Sequence, residues 1–186
     1  MDKTALVVID LQEAMRADRD AGYRWANPNA PETACQILAA FRAAGLPVIH
    51  VHHHAEDPAD GFHPDNPLSV AMPEVAPVAG EVVVIKHGSS SFIGTGLEVL
   101  LRDAGLTRLV IVGGEANMCV ESTTRMARNL GFDATVVADA LVNFQHTLRD
   151  GRVVPPEIVL DMALANLTSF AHIVDSGDIL AELSAL

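Results

Sequence analysis

The sequence predicts an α/β fold, a three-layer α/β/α sandwich around a six-stranded, mostly parallel sheet of the Rossmann-like type. Six short runs rich in β-branched residues recur along its 186 residues. Each run is continuously apolar, which is typical of strands covered on both faces. Helical patterns lie between most of them, and this alternation indicates a parallel sheet between layers of helices. The length suits one domain, so we expect residues 1–186 to form a single domain.

The predicted strands are short, as expected of a parallel sheet. They are residues 5–9, 47–51, 82–85, 109–112, 134–137 and 171–174.

Proline in a first turn, glycine after a last turn and a capping-box pattern mark the predicted helices. These helices are residues 31–44, a helix that opens on Thr95 and ends before Gly105, residues 119–130, residues 155–167 and a short last helix capped at residues 175–178.

Two stretches show no regular period. Residues 52–77 contain five prolines, and a loop of this length is usually functional, while residues 143–154 are expected to form a lid or an oligomer contact.

Composition excludes several classes of protein. The chain has 24 acidic and 12 basic residues and a net charge of −12, which weighs against nucleic-acid and membrane partners. An apolar fraction of 49% excludes a disordered chain. Two cysteines do not make a disulfide framework, and the first apolar run is too short for a secretory signal. We therefore expect a cytoplasmic protein.

Three reactive side chains follow three separate predicted strands. Asp10 follows the first strand, Lys86 the third, and Cys119 comes just after the fourth strand and a Gly-Gly pair. Ligands of open parallel sheets bind beyond the carboxyl ends of the strands. Each residue alone has a common structural explanation, as a turn cap, a solvated cation or a small buried side chain. Together they favour a catalytic site, because they are the groups that cysteine hydrolysis requires.

A thiol is mostly protonated at neutral pH and has to be activated before it can attack. A helix N-terminus and the Lys86 ammonium both favour the thiolate of Cys119. Asp10 is suited to take the thiol proton and to pass it later to a leaving amine. The turn over residues 113–119 brings backbone N–H groups near the sulfur, where they are suited to hold an oxyanion.

The histidines suggest a second kind of site. Five of the eight histidines lie between His50 and His63, and His52 with His54 forms a His-x-His pair. Imidazole is a common ligand of zinc, copper, iron and nickel. Three adjacent residues point in alternating directions, so they cannot all bind one ion. A metal- or ligand-binding module therefore stays open beside histidines that simply line a polar pocket.

Four segments, residues 4–12, 84–97, 109–125 and 130–140, resemble in order the isochorismatase-like cysteine hydrolases, which include nicotinamidases and related amidohydrolases. The resemblance implies a catalytic triad of Asp10, Lys86 and Cys119. It also implies a cis peptide between Gly114 and Glu115 and an oxyanion hole formed by the N–H groups of Glu115 and Cys119.

One motif of the resembled family is missing. Nicotinamidases have an Asp-x-His metal motif after the second strand, and the matching place here holds His53, His54 and Ala55. The sequence therefore supports neither zinc nor another cofactor.

The expected activity is hydrolysis of a small-molecule amide through a thioester on Cys119. Phe92, Asn117 and residues of the 52–77 loop are the expected substrate wall. The nearest alternative is vinyl-ether hydrolysis of the isochorismatase type, which needs no thiolate and is disfavoured by the presence of Cys119. A non-catalytic member is another alternative, which the intact Asp10 and Lys86 oppose. The resemblance further implies a homo-oligomer, a dimer or larger.

Overall fold

In the computed structural model, which describes residue 1 and residues 3–186, six strands form one central sheet. All of its neighbouring strands are parallel, and the order is β3-β2-β1-β4-β5-β6. The strands are β1 (Thr4–Ile9), β2 (Val48–His53), β3 (Val82–Lys86), β4 (Arg108–Gly113), β5 (Asp133–Leu141) and β6 (His172–Val174). The predicted fold class is confirmed.

Six helices cover the two faces of this sheet. They are α1 (Glu13–Asp20), α2 (Ala30–Ala43), α3 (Leu97–Asp103), α4 (Glu121–Asn129), α5 (Pro156–Leu167) and α6 (Ser176–Ser184). Short 3-10 turns occupy Pro67–Ser69 and Pro73–Val75, and a π-helical turn occupies Ala116–Val120. No helix in the part of the chain that the structure describes is long and apolar enough to cross a membrane.

Alternate residues of β1 supply two separate cores. Ala5, Val7 and Ile9 pack on one face with apolar side chains of α3, α4 and α5. Leu6 and Val8 pack on the other face with side chains of α1, α2 and α6. Because both faces are buried, the sequence of such a strand is continuously apolar rather than alternating.

The prediction that every strand is covered on both faces is wrong for β3. Val82, Val83 and Ile85 are 37%, 41% and 38% exposed. This strand lies at the edge of the sheet, where it pairs only with β2. Lys86, its last residue, is nonetheless completely buried.

Two helix starts differ from the prediction. The predicted capping box at Thr95 does not form, because α3 begins at Leu97 and the Glu98 carboxylate instead accepts a hydrogen bond from Arg102 at 2.8 Å. Cys119 lies in the π-helical turn that leads into α4, just before the regular helix begins at Glu121.

Two further elements were not predicted. Helix α1 buries only Ala14 and Met15 and lacks a side-chain cap, so it has few sequence signals. The stretch 143–154 contributes short antiparallel ladders, which join Trp25–Ala26 to Asn143–Phe144 and His146–Thr147 to Val153–Val154.

Candidate active site

The strand order reverses direction between β1 and β4, and such a switch point opens a crevice at the carboxyl ends of the strands. The chain leaves β1 at Asp10 and β4 at Gly113. Gly113 has a φ of +126°, and a Cβ there would collide with the carbonyl oxygen of Ile9. Glycine thus lets the end of β4 approach β1, while the N–H of Gly114 donates to Ile9 O at 3.0 Å.

The structure brings the three predicted catalytic side chains together in this crevice. Lys86 Nζ lies 2.7 Å from Asp10 Oδ2. The same Nζ donates to Cys119 Sγ at 3.2 Å. The side chains of Asp10 and Lys86 are 2% and 0% exposed. The ammonium therefore bridges the carboxylate and the sulfur inside the protein.

Burial and charge set the protonation of this group. Burial raises the pKa of Asp10, while the neighbouring Lys86 ammonium opposes the rise. Burial, followed by the charge of Asp10, raises the pKa of the Cys119 thiol to about 12, again against the effect of Lys86. The resting sulfur is therefore a thiol, whereas the sequence favoured a thiolate. A raised Asp10 pKa makes that carboxylate the stronger proton acceptor.

The turn between β4 and Cys119 has a well-defined backbone. The peptide between Gly114 and Glu115 is cis. The carbonyl of Glu115 accepts from the N–H groups of Met118 and Val120, both at 3.1 Å. These bonds hold the π-helical turn that carries Cys119.

A cavity of about 300 Å³ lies over the sulfur, lined in part by Asp10, Glu115 and Cys119. Its other walls combine imidazole, carboxylate and apolar groups, and they include Met15, His53, Asp60, Phe62, His87, Ser89 and Met118. Three of these residues come from the 52–77 loop, which the sequence analysis expected to form part of the substrate wall.

Neither of the two residues named individually for that wall lines this cavity. Phe92 is buried in the core and stacks on Phe132 with 5.8 Å between ring centroids. The N–H of Asn117 donates to Asn143 Oδ1 at 3.1 Å, and its side-chain amide lies 3.1 Å from His146 Nε2. Phe92 therefore packs beneath the site, and Asn117 fixes the segment beside it.

Gln12 is a supporting residue that the sequence analysis missed. Its buried amide donates to the carbonyls of His53 (3.1 Å) and Ser69 (2.6 Å), and it accepts from the His53 N–H at 2.8 Å. These bonds tie the ends of β1 and β2 to the loop that walls the cavity. The available signal was a polar residue two positions after Asp10, close to the end of the first strand.

A second missed contact joins the segment after β3 to α4. Thr123 Oγ1 accepts from the N–H of Ser91 at 2.9 Å, and the two hydroxyls are also 2.9 Å apart. Both residues are buried. These contacts hold the segment that follows Lys86 against the helix that follows Cys119.

The consecutive histidines diverge. His53 faces the cavity, while the ring of His52 lies 6.5 Å from that of His50, and the ring of His54 lies 6.4 Å from that of His87. Burial lowers the pKa of His52 to about 4, so this ring is neutral. Within residue 1 and residues 3–186, no three His, Cys, Asp or Glu side chains are grouped to hold a metal ion.

Comparison with known proteins gives consistent results. The family described as the Isochorismatase domain matches residues 4–175. The isochorismatase family protein YrdC of Bacillus subtilis is 39% identical, over 77% of this chain and 75% of its own. The ureidoacrylate amidohydrolase RutB of Pseudomonas syringae is 31% identical, over 95% and 81%. The crystal structure of an isochorismatase-family protein from Chromobacterium violaceum has a TM-score of 0.94 at 39% identity, over 100% of this chain and 96% of that one.

Proposed function

The chain belongs to the isochorismatase family of hydrolases, and from this premise we propose that it cleaves the C–N bond of a small-molecule amide through a covalent thioester on Cys119. One observation carries the proposal. A single buried ammonium, that of Lys86, contacts both a carboxylate and a thiol in a cavity of small-molecule size. The amidohydrolase activity named for the Pseudomonas syringae relative supports the same class of substrate.

In the first half of the reaction, Asp10 accepts the proton of Cys119 as the sulfur attacks the amide carbonyl. Lys86 stabilises the charge that passes from the carboxylate to the sulfur. The carbonyl oxygen becomes an oxyanion, for which we propose the N–H groups of Glu115 and Cys119 as donors. Asp10 then gives its proton to the leaving amine, the C–N bond breaks and a thioester remains.

In the second half, a water molecule attacks the thioester carbonyl while Asp10 accepts its proton. The C–S bond breaks, the acid product leaves, and the proton returns to the Cys119 sulfur. Two features support this division of roles. Burial raises the pKa of Asp10, which strengthens it as a base, and it also favours the protonated thiol as the resting form of the nucleophile.

Vinyl-ether hydrolysis is the competing reaction within the family. That reaction needs protonation of the substrate and no thiolate. The hydrogen bond from Lys86 to Cys119 Sγ favours the amide reaction, because an ammonium at the sulfur stabilises the thiolate that attack on an amide requires. A covalent acyl adduct on Cys119 would separate the two.

The proposal extends to the setting of the enzyme. We propose one hydrolase domain over residues 1–186, assembled as a homo-oligomer in the cytoplasm. Free thiols at Cys35 and Cys119 suit a reducing compartment. The net charge of −12 supports a small molecule rather than nucleic acid as the partner.

The test is a screen of small primary amides that reads ammonia release, followed by mass spectrometry of the intact protein during turnover. We expect the native chain to release ammonia and to carry the acyl mass. Cys119→Ala should do neither, while Cys35→Ala, which removes the other thiol, should do both. Full turnover by Cys119→Ala would overturn the proposal.

A further inference from the structure

Two carboxylates, those of Asp60 and Glu115, line the active-site cavity in addition to Asp10, and that of Asp18 lines two neighbouring depressions. Glu115 lines this cavity and also a neighbouring depression of about 300 Å³ that contains Asp18. Asp60 lines the cavity too, and it shares a third depression of about 430 Å³ with Asp18. Each depression shares at least one of these side chains with another. We call Asp18, Asp60 and Glu115 the acidic rim.

The acidic rim has a basic neighbour, the imidazole of His146. In the described part of the chain, no lysine or arginine lines any of the three depressions. The imidazole Nε2 of His146 lies 3.8 Å from Glu115 Oε2, and the same oxygen accepts a hydrogen bond from the Phe144 N–H at 3.3 Å. Burial raises the pKa of Glu115, and burial together with the charge of Asp60 raises that of Asp18. For Glu115, burial outweighs the opposing effects of the Phe144 N–H and of His146 on its pKa.

The Lys86 ammonium beside the cavity is already engaged. Lys86 is completely buried, and its Nζ is bound to Asp10 and Cys119. The Lys86 ammonium is therefore not free to pair with an anionic group of a ligand at the acidic rim.

The hydrogen-bonding direction of the wall agrees with its charge. His87 Nδ1 lies 2.9 Å from the carbonyl oxygen of His54, and a carbonyl only accepts, so Nδ1 carries the proton. In the neutral ring, Nε2 is then an acceptor. Phe62 adds an aromatic ring to the same wall, which attracts cations to its face. The wall therefore suits a ligand that donates hydrogen bonds.

We propose that the amide substrate carries an ammonium or guanidinium group on a short apolar spacer, which the acidic rim binds while the scissile carbonyl lies at Cys119. This inference rests on the proposed amide hydrolysis. The spacer would pass Met15 and Met118, which supply apolar surface between the two ends. An amide bearing a carboxylate would face the acidic rim without a counter-charge and is disfavoured. The net charge of −12 adds a field that attracts cations.

The test uses three amides of similar size, 4-aminobutanamide (cationic), butanamide (neutral) and succinamate (anionic). Ammonia release gives kcat/KM for each with the native enzyme, and calorimetry gives their binding to Cys119→Ala, which cannot turn them over. We expect kcat/KM and affinity to be about tenfold higher for the cation than for the neutral amide, and lowest for the anion.

Asp60→Asn tests the origin of the preference. Its Oδ1 accepts from the Phe62 N–H at 2.8 Å, a bond that the asparagine oxygen keeps. We expect the ratio of cationic to neutral kcat/KM to fall about fivefold, and to fall similarly in the native enzyme at 0.5 M salt. The matched control is Asp57→Asn, an exposed aspartate of the same loop whose Oδ1 accepts from the Ala59 N–H at 2.9 Å and which lies outside the cavity. It should leave the ratio unchanged.

The outcomes distinguish this inference from the function on which it rests. Hydrolysis of all three amides at equal rates would overturn the cationic substrate and leave amide hydrolysis intact. Selective binding of 4-aminobutanamide without turnover would support the cationic ligand and count against the amidase. If no amide binds or reacts selectively, or if Asp57→Asn removes the preference as Asp60→Asn does, the acidic rim does not select the substrate.

Discussion

Lys86 Nζ lies 2.7 Å from Asp10 Oδ2, and this ion pair is almost completely removed from solvent. Its members come from the ends of β3 and β1, which are separated in the sheet by β2. A buried pair of this kind adds little stability by itself, because desolvation offsets the attraction. Its importance is that each charge offsets the cost of burying the other. The Lys86 ammonium of this pair also donates a hydrogen bond to Cys119 Sγ.

Breaking this pair from one side should destabilise the fold strongly. Lys86→Met leaves the Asp10 carboxylate buried without a partner, and we expect a loss of about 3–5 kcal/mol in the free energy of unfolding. Urea denaturation measures it. The double variant Asp10→Asn with Lys86→Met removes both charges and should recover much of the loss. Losses that simply add would argue against direct coupling.

Asp10→Asn should abolish turnover and yet make Cys119 more reactive. The Asp10 charge is one of the causes that raise the Cys119 pKa to about 12, so its removal lowers that pKa. A decrease of one unit gives about tenfold more thiolate at a given pH. Iodoacetamide labelling at pH 8, resolved by peptide mass spectrometry with Cys35 as the internal reference, measures the change. Slower labelling of Cys119 would contradict this account of its pKa.

Gly113→Ala should be among the most damaging single changes in the chain. The new Cβ would collide with the Ile9 carbonyl oxygen, and alanine would have to adopt a φ of +126°. We expect a cost of about 3 kcal/mol or more. Gly131→Ala is the matched control, because its φ is +88° but open space surrounds the new Cβ. Its cost should be about 1–2 kcal/mol. Equal melting temperatures would show that the close approach of β4 to β1 matters little.

The contacts of Glu81 predict how the free energy of unfolding changes as the pH falls. Its bidentate hydrogen bonds with Arg42, at 2.7 and 2.8 Å, and its bond to His50 at 2.8 Å lower the pKa of Glu81 from 4.5 to about 2. A lowered pKa contributes stability that is complete above pH 4.5 and is lost as the pH falls through about 2. Glu81→Gln should cost about 1–3 kcal/mol at pH 7, and this cost should disappear near pH 2.

The control for this experiment is Glu98→Gln. Glu98 pairs with Arg102 across one exposed helical turn, so its loss should cost less than about 0.5 kcal/mol. A cost for Glu81→Gln that did not change between pH 7 and pH 3 would show that the carboxylate charge is not what stabilises this contact.

The meeting of the three proposed catalytic residues could be predicted because parallel strands align their carboxyl ends. Asp10 directly follows β1, Lys86 ends β3 and Cys119 follows β4 after a short turn, so the sheet brings the three segments to one edge. The fold class followed from the same regularity. Edge position is not encoded in a strand's own residues, and β3 was therefore expected to be buried on both faces.

The rest of the site depends on contacts distant in sequence. The Gln12 amide contacts His53 and Ser69, which lie 41 and 57 positions further along the chain. No local sequence pattern predicts these contacts. Phe92 was expected in the substrate wall, but its ring packs in the core against Phe132. Asp60 belongs to an irregular loop whose path over the cavity is fixed by tertiary packing, so the acidic rim could not be inferred from the sequence.

The edge position of β3 makes the proposed catalysis depend on one of the two outermost strands of the sheet. Parallel neighbours lie about 4.8 Å apart, so an ammonium from β3 has to cross roughly 10 Å to reach the end of β1. An extended lysine side chain spans most of that distance, and the Asp10 side chain spans the rest. Edge strands open locally at lower free energy than the strands they flank. Fraying of β3 would withdraw Lys86 while the five other strands stay paired, so heat inactivation should begin before cooperative melting of the domain.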